Sequence, residues 1–277
     1  MFKLIQNEHV KLLKRKVTFV SLALIVVFQF LLALITKRIL MGAGAEDHFI
    51  GYFSFTPNLN ILLQGLSIVV AASIISFEYD KKTIKFLLIR PVRREKILVS
   101  KYVTSVLASI WLFIIYYGFS ILFGLLFFGV KLDEKAEPLF INTVKMIGTQ
   151  WFEVWMMVSF AFLCSALFKS SALSIMVSIV VLYGAKMLVT IMAYLEKPLG
   201  KFLLFANTDL TQYAGEAKPL FAGMTPLFSL FIVFIHLVFF LGKGMVGLLQ
   251  TRYEGINNCP KCDKRNDIFV KYVVITV

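Results

Sequence analysis

The chain has 277 residues, of which 59% are apolar and 28 are Phe, and it carries a formal charge of +13. A soluble domain of this length could hold so much apolar surface only if nearly every helix were buried on all sides, whereas lipid accepts apolar faces and requires only that backbone polar groups be satisfied within the segment. Composition thus excludes an ordinary soluble domain, and the positive charge reads as membrane topology rather than nucleic-acid binding.

Residues 1–16 form a charged leader. Phe2, Ile5, His9 or Val10, Leu12 and Leu13 fall on a broad apolar face, and Lys3, Glu8, Lys11, Lys14 and Lys16 cover much of the rest. This pattern predicts an amphipathic helix lying in the membrane interface; an ordinary charged flank is the plainer alternative. Six apolar stretches follow, at 17–35, 59–77, 102–129, 151–168, 172–194 and 226–241. Most approach the roughly 20 residues that cross a hydrocarbon layer about 30 Å thick. The sixth is short and should continue through Gly242 toward Leu249, with Lys243 snorkelling to the headgroups. The first is not a cleaved signal peptide, because it lies behind the charged leader and has no small-residue cleavage site before Lys37. The expected fold is an all-α polytopic membrane protein with six transmembrane helices. Residues 1–16 are the interfacial helix, 17–249 the transmembrane domain and 250–277 a cytosolic tail.

Charge sets the expected orientation. With the N-terminus in the cytosol, twenty Lys and Arg residues and seven acids fall on the cytosolic side, against eight basic and nine acidic residues on the other. The positive-inside rule therefore places both termini in the cytosol.

The segment 78–101 between the second and third spans carries the most specific pattern. Ile84, Leu87 and Leu88 supply anchors at i, i+3 and i+4 for a short helix, Pro91 should end it at Arg90, and a second helix should begin at about Val92 and run into span three. The product is a rigid helix, break, helix projection with Arg93, Arg94 and Lys96 on it, suited to an acidic partner surface or to anionic headgroups. Glu78 and Lys101 stand at its two membrane ends, where an ion pair between Glu78 and a local base would hold the root.

This segment resembles the first cytosolic loop of the type-2 ABC exporter permeases. There an acidic residue closes span two and is followed by Gly-Thr, a Leu pair, a Pro, a small residue with Arg, and a Lys opening span three. The matching positions are Glu78, Thr83, Leu87 and Leu88, Pro91, Arg94 and Lys101, while Lys82 replaces the Gly and Arg93 the small residue. Asn7-Glu8 with Lys11 and Arg15 is similar to the family's elbow helix. The resemblance spans roughly residues 1–245. It implies that residues 78–101 dock as a coupling helix on a separate ABC ATPase subunit, with Glu78, Thr83, Leu87, Leu88, Pro91, Arg93, Arg94 and Lys101 as the docking set. It also implies a second identical or related permease subunit, and ATP and Mg on the partner ATPase with no cofactor on this chain. No Gly-x-x-x-x-Gly-Lys-Ser/Thr phosphate loop occurs in the sequence, so ATP hydrolysis is not expected here.

Within the membrane, Lys186 near the middle of span five should face the protein interior, a polar passage or a partner subunit. Gln29, Gln64, Ser73 and Ser159 are weaker polar candidates that would join helices by hydrogen bonds. The outer segments 36–58, 130–150 and 195–225 are expected as loops, with short interfacial helices or a small cap over the exit. Cys259 and Cys262 have zinc-knuckle spacing, but no second pair or nearby His follows, so no metal is expected. The expectation is a permease in the bacterial cell membrane, moving an amphipathic peptide, antibiotic or lipid-like substrate. The alternative is a non-transporting structural or regulatory membrane subunit of a signalling or immunity complex. A membrane-embedded enzyme lacks any convergent catalytic dyad.

Overall fold

The computed structural model of the protein describes residues 1–43, 48–81, 94–129, 136–213 and 219–257. Helix α1 spans Phe2–Leu13, α2 Lys16–Ala43, α3 Phe49–Phe55, α4 Ile61–Asp80, α5 Arg94–Phe128, α6 Ala136–Phe168, α7 Ser171–Tyr194, α8 Leu204–Thr208 and α9 Pro226–Asn257. Six of these (α2, α4, α5, α6, α7 and α9) are long and apolar enough to cross a membrane. The protein is an all-α, six-span polytopic membrane protein.

Helices α4 and α6 are the centre of the bundle. In their most apolar windows 72% and 61% of residues are buried, against 17% for α7 and 28% for each of α2, α5 and α9. The sequence explains the difference through side-chain size. Ser67, Ala71, Ala72 and Ser76 of α4 and Ala161, Ser165 and Ala166 of α6 are all buried. Small residues let two backbones approach in a medium where apolar burial by itself gives little drive to associate. Hydroxyls add polar stitches: the Ser76 N–H donates to Ser165 Oγ at 2.9 Å, and Ser76 Oγ lies 2.9 Å from Ser171 Oγ at the head of α7. Around this core, α5 lies between α2 and α4, α9 covers the other side of α6, and α7 packs on both α4 and α6.

One end of the bundle carries α1, the C-termini of α4 and α6 and the N-termini of α5 and α7; this is called the near end below. The far end is capped by short helices, one of the forms expected of the outer segments. Helix α3 buries Ile50, Tyr52 and Phe53. Its Tyr52 stacks on Phe128 with ring centroids 4.8 Å apart and donates its hydroxyl to Gln29 Oε1 at 3.3 Å. Gln150 ties the same region together, accepting from Tyr117 at 2.8 Å and donating to the Pro57 carbonyl at 2.8 Å. The second cap holds α8 onto α9, because Asn207 donates to the Lys201 and Leu203 carbonyls and accepts from Ser229 at 2.8 Å.

Two helix ends differ from the sequence reading. Helix α6 begins at Ala136, so most of the expected loop 130–150 is helical. Pro138 sits in its first turn, where a missing N–H costs nothing, and the buried Thr143 and half-buried Ile147 give this extension a packed face. Helix α9 runs to Asn257, past the expected continuation to Leu249.

The cap gives a direct packing test. A Cβ on Gly124 would stand 2.9 Å from Phe49 Cδ2 and 3.0 Å from Tyr52 Cδ1, whereas Gly118 on the same helix has nothing within 4 Å. Gly124→Ala should therefore lower stability by about 1–3 kcal/mol through overpacking, and Gly118→Ala should leave the melting temperature in detergent at or above the wild-type value. Equal melting temperatures for the two variants would show that α3 does not seat against α5.

Candidate functional site

The near end is where α4 hands the chain to residues 82–93 and α5 receives it. Glu78 lies in the last turn of α4 and Lys101 two turns into α5, so the two stand at the roots of that segment. Lys101 is only 1% exposed. Its Nζ donates to Glu78 Oε1 at 2.8 Å and to Glu8 Oε2 of α1 at 2.6 Å. Glu8 Oε1 accepts a further bond from Lys11 Nζ at 2.9 Å, and Lys11 Nζ also lies 3.8 Å from Glu78 Oε1. Among the described residues, two carboxylates and two ammonium groups meet here, and the Arg15 guanidinium is attracted to both acids.

The electrostatics follow from burial. An ammonium taken out of water loses several kcal/mol of solvation unless paired and hydrogen-bonded, which explains why both carboxylates converge on it. For Glu8, burial alone would raise the carboxyl pKa. The neighbouring charge of Lys101, its hydrogen bond, and then Lys11 outweigh that and hold it below the usual carboxylate range. Arg15 completes the attachment of the leader: Nη1 donates to the Ser73 carbonyl at 2.9 Å and the guanidinium lies 4.4 Å from the centre of the Phe77 ring. On the other side of the root, Asp80 accepts the Ser171 backbone N–H at 3.3 Å, joining the end of α4 to the head of α7.

Of the residues singled out from sequence, the structure brings Glu78 and Lys101 into direct contact. Arg94 opens α5. Thr83, Leu87, Leu88, Pro91 and Arg93 lie outside the described residues, as does the expected helix of 84–90. Sequence reasoning placed Glu8 on the polar face of the leader, but it is buried at 7% exposure. The helical wheel failed here because a buried cation on another helix faces that position. Gln29 and Ser159 do join helices, through Tyr52 and Tyr102 respectively, whereas Ser73 bonds within α4 to the Val70 carbonyl.

Lys186 is paired with a carboxylate of a neighbouring helix at the open side of the chain. It lies fifteen residues past Ser171, about 22 Å along a helix about 36 Å long, a little past the midpoint toward the far end. Its side chain is 46% exposed at the edge of the chain and is paired with Glu153 of α6, itself only 12% exposed. The pair borders a cavity of about 310 Å³ that Thr190, Phe205, Asp209 and Gln212 also line. Sequence reading missed Glu153 as the partner, having counted it only among the outer acids.

Among the described residues, no group of three or more His, Cys, Asp and Glu side chains is placed to hold a metal ion. Cys259 and Cys262 lie outside the described residues.

Comparison with known proteins agrees with the membrane architecture. The chain is 56% identical over 234 residues to the uncharacterized membrane protein YdbK of Bacillus subtilis (strain 168), covering 84% of this chain and 95% of that protein. It is 35% identical over 205 residues to the uncharacterized protein YhcI of the same organism, covering 69% of this chain and 64% of that protein. Residues 42–246, which contain five of the six spans and both roots of the 82–93 segment, match a family described as protein of unknown function DUF2705, and the chain belongs to that family.

Proposed function

We propose that this chain is the membrane-spanning permease subunit of an ATP-driven exporter in the bacterial cell membrane, with both termini in the cytosol and residues 78–101 docking on a separate ABC ATPase subunit. The observation that carries the reading is the buried bridge of Lys101 to Glu78 and Glu8. It fixes both roots of the 82–93 segment to each other and to α1. A segment so clamped can pass a push from a partner into α4, the centre of the bundle, and into α5, instead of dissipating it in a loose hinge. The Asp80–Ser171 contact extends the same connection to α7, whose sparsely covered face and Lys186–Glu153 pair suit a passage shared with a second permease subunit. The cargo is an amphipathic peptide, antibiotic or lipid-like molecule.

Site-directed crosslinking from positions 86–94, read by mass spectrometry of the captured protein, tests the docking without assuming a cargo. The expected product is an ATPase subunit. The double reversal Arg93→Glu/Arg94→Glu should leave membrane insertion intact while reducing ATPase copurification at least tenfold and uncoupling hydrolysis from export. Crosslinks only to lipid, or coupled transport in the reversal variant, would reduce the segment to an interfacial basic patch. An assembled complex without flux would point to a non-transporting subunit. Reporters fused to each terminus read the orientation directly.

A further inference from the structure

Beneath α1 lies a second cavity, of about 230 Å³, whose lining is almost wholly apolar. Its walls include His9, Leu12 and Leu13 of α1, Leu22 of α2, and Trp111 and Ile115 of α5. It begins at the interfacial helix and runs along α5 toward the middle of the bundle. Trp111 is 55% exposed and Leu13 46% exposed, so the groove opens sideways to the membrane rather than to a sealed interior. Water gains little in such a space, having few polar partners there, while a hydrocarbon chain recovers the dispersion contacts that an empty groove forfeits.

Exposed basic residues adjoin the groove along the chain. Lys14 and Lys16 are exposed and stand in the turn between Leu13 and Thr18, both of which line the groove. The nearest acid in sequence, Glu8, is already engaged by Lys101 and Lys11 and leaves no free negative charge to oppose an anion. His9 lines the groove wall, while its Nδ1 is turned inward, buried and without a hydrogen bond among the described residues. An apolar slot with two exposed cations beside its α1 end matches one chemistry.

We propose that this groove seats one acyl chain of an anionic phospholipid from the leaflet on the α1 side, with the phosphate over Lys14 and Lys16 and the glycerol ester region beside His9. The bound lipid then becomes part of the packing between α1 and α5. It couples the position of α1, and through Glu8 the Lys101 cluster, to the lipid composition of that leaflet. This site does not depend on the transport reading.

The test is native mass spectrometry of the full chain released from vesicles of equal phosphatidylglycerol and phosphatidylcholine with identical acyl chains. The wild type should retain phosphatidylglycerol over phosphatidylcholine by at least fivefold, since each lysine near an anionic headgroup contributes roughly a factor of five. Lys14→Gln/Lys16→Gln alters only exposed positions and should bring the ratio close to one. Leu13→Trp, which fills the mouth from a partly exposed position, should reduce retention of both lipids at least threefold. A wild-type ratio near one, a ratio unmoved by the lysine pair, or retention unmoved by Leu13→Trp would each overturn the site, the last by showing that the chain does not enter the groove.

Discussion

Lys101→Leu is expected to be the most damaging single substitution at the near end. It removes the ammonium that Glu8 and Glu78 share at 2.6 and 2.8 Å and leaves two carboxylates buried against each other. Breaking a buried ion pair from one side typically costs about 3–5 kcal/mol, because the remaining charge has lost its compensation. Lys11 is half exposed and touches both acids, so it absorbs part of the loss. The expected readouts are a lower melting temperature in detergent and greater reactivity of a cysteine placed at Leu4, reporting detachment of α1. The triple variant Glu8→Gln/Glu78→Gln/Lys101→Met should recover much of the stability, since it removes the desolvated charges together with their attraction. It should not recover function if the clamp transmits force. A Lys101→Leu protein that melts like the wild type would show that the cluster is solvated and carries no structural role. The pH dependence has a definite sign. Glu8 titrates lower in the folded protein than in the unfolded chain. Its contribution is therefore complete above the ordinary carboxylate range and is lost as pH falls through the depressed value. Helix α1 should stay docked at about pH 5, still above that range, and release only in stronger acid, with Glu8→Gln abolishing this dependence.

Lys186→Glu should have the second largest effect. It sets a carboxylate against Glu153, which is nearly buried on α6, within a span where each charge near the centre costs about 2.5–3.5 kcal/mol to insert. Lys186→Leu should be milder, because it leaves one unpaired carboxylate instead of two. The reciprocal exchange Lys186→Glu/Glu153→Lys should restore folding if the pair is structural. Transport separates the roles: if the cavity beside Thr190 and Gln212 receives cargo, the exchanged pair folds normally but exports poorly, since the charge on the exposed α7 face has been inverted. Full folding and export by Lys186→Leu would leave the pair with neither role. Membrane-fraction yield, melting temperature and flux distinguish these outcomes.

The spans were legible because their signal is one-dimensional. A run of apolar residues near the length of a bilayer needs no knowledge of neighbours, and each of the six runs read from sequence is a helix in the structure. Helix ends were less so. Hydropathy falls away in 136–150 before the helix does, since helical geometry continues wherever nothing breaks it, and the start of α6 went unread for that reason. The wheel of α1 was correct for Leu12 and misleading for Glu8, because a wheel treats every charge as seeking water and cannot represent a cation waiting on another helix.

The two ion pairs show where the division falls. Glu78 and Lys101 could be matched in sequence because both sit at the ends of one intervening segment, and a segment that leaves and re-enters a bundle must bring its ends near each other. Glu153 and Lys186 obey the same rule, each lying sixteen residues from the link Lys169–Ser170 between α6 and α7. Two antiparallel helices joined by a two-residue link place such positions at one level, so that partner was readable in principle. Composition, hydropathy and charge by themselves determined that this protein crosses the membrane six times, since the solvent acts on each segment separately. Only the tertiary structure decided that Glu8 is buried, that α4 and α6 form the centre, that Lys186 pairs with Glu153 at the open side of the chain, and that an apolar groove opens beneath α1. Each of those depends on which surfaces of different helices meet, and that is set by the packing of side chains far apart in the chain rather than by any local run of residues.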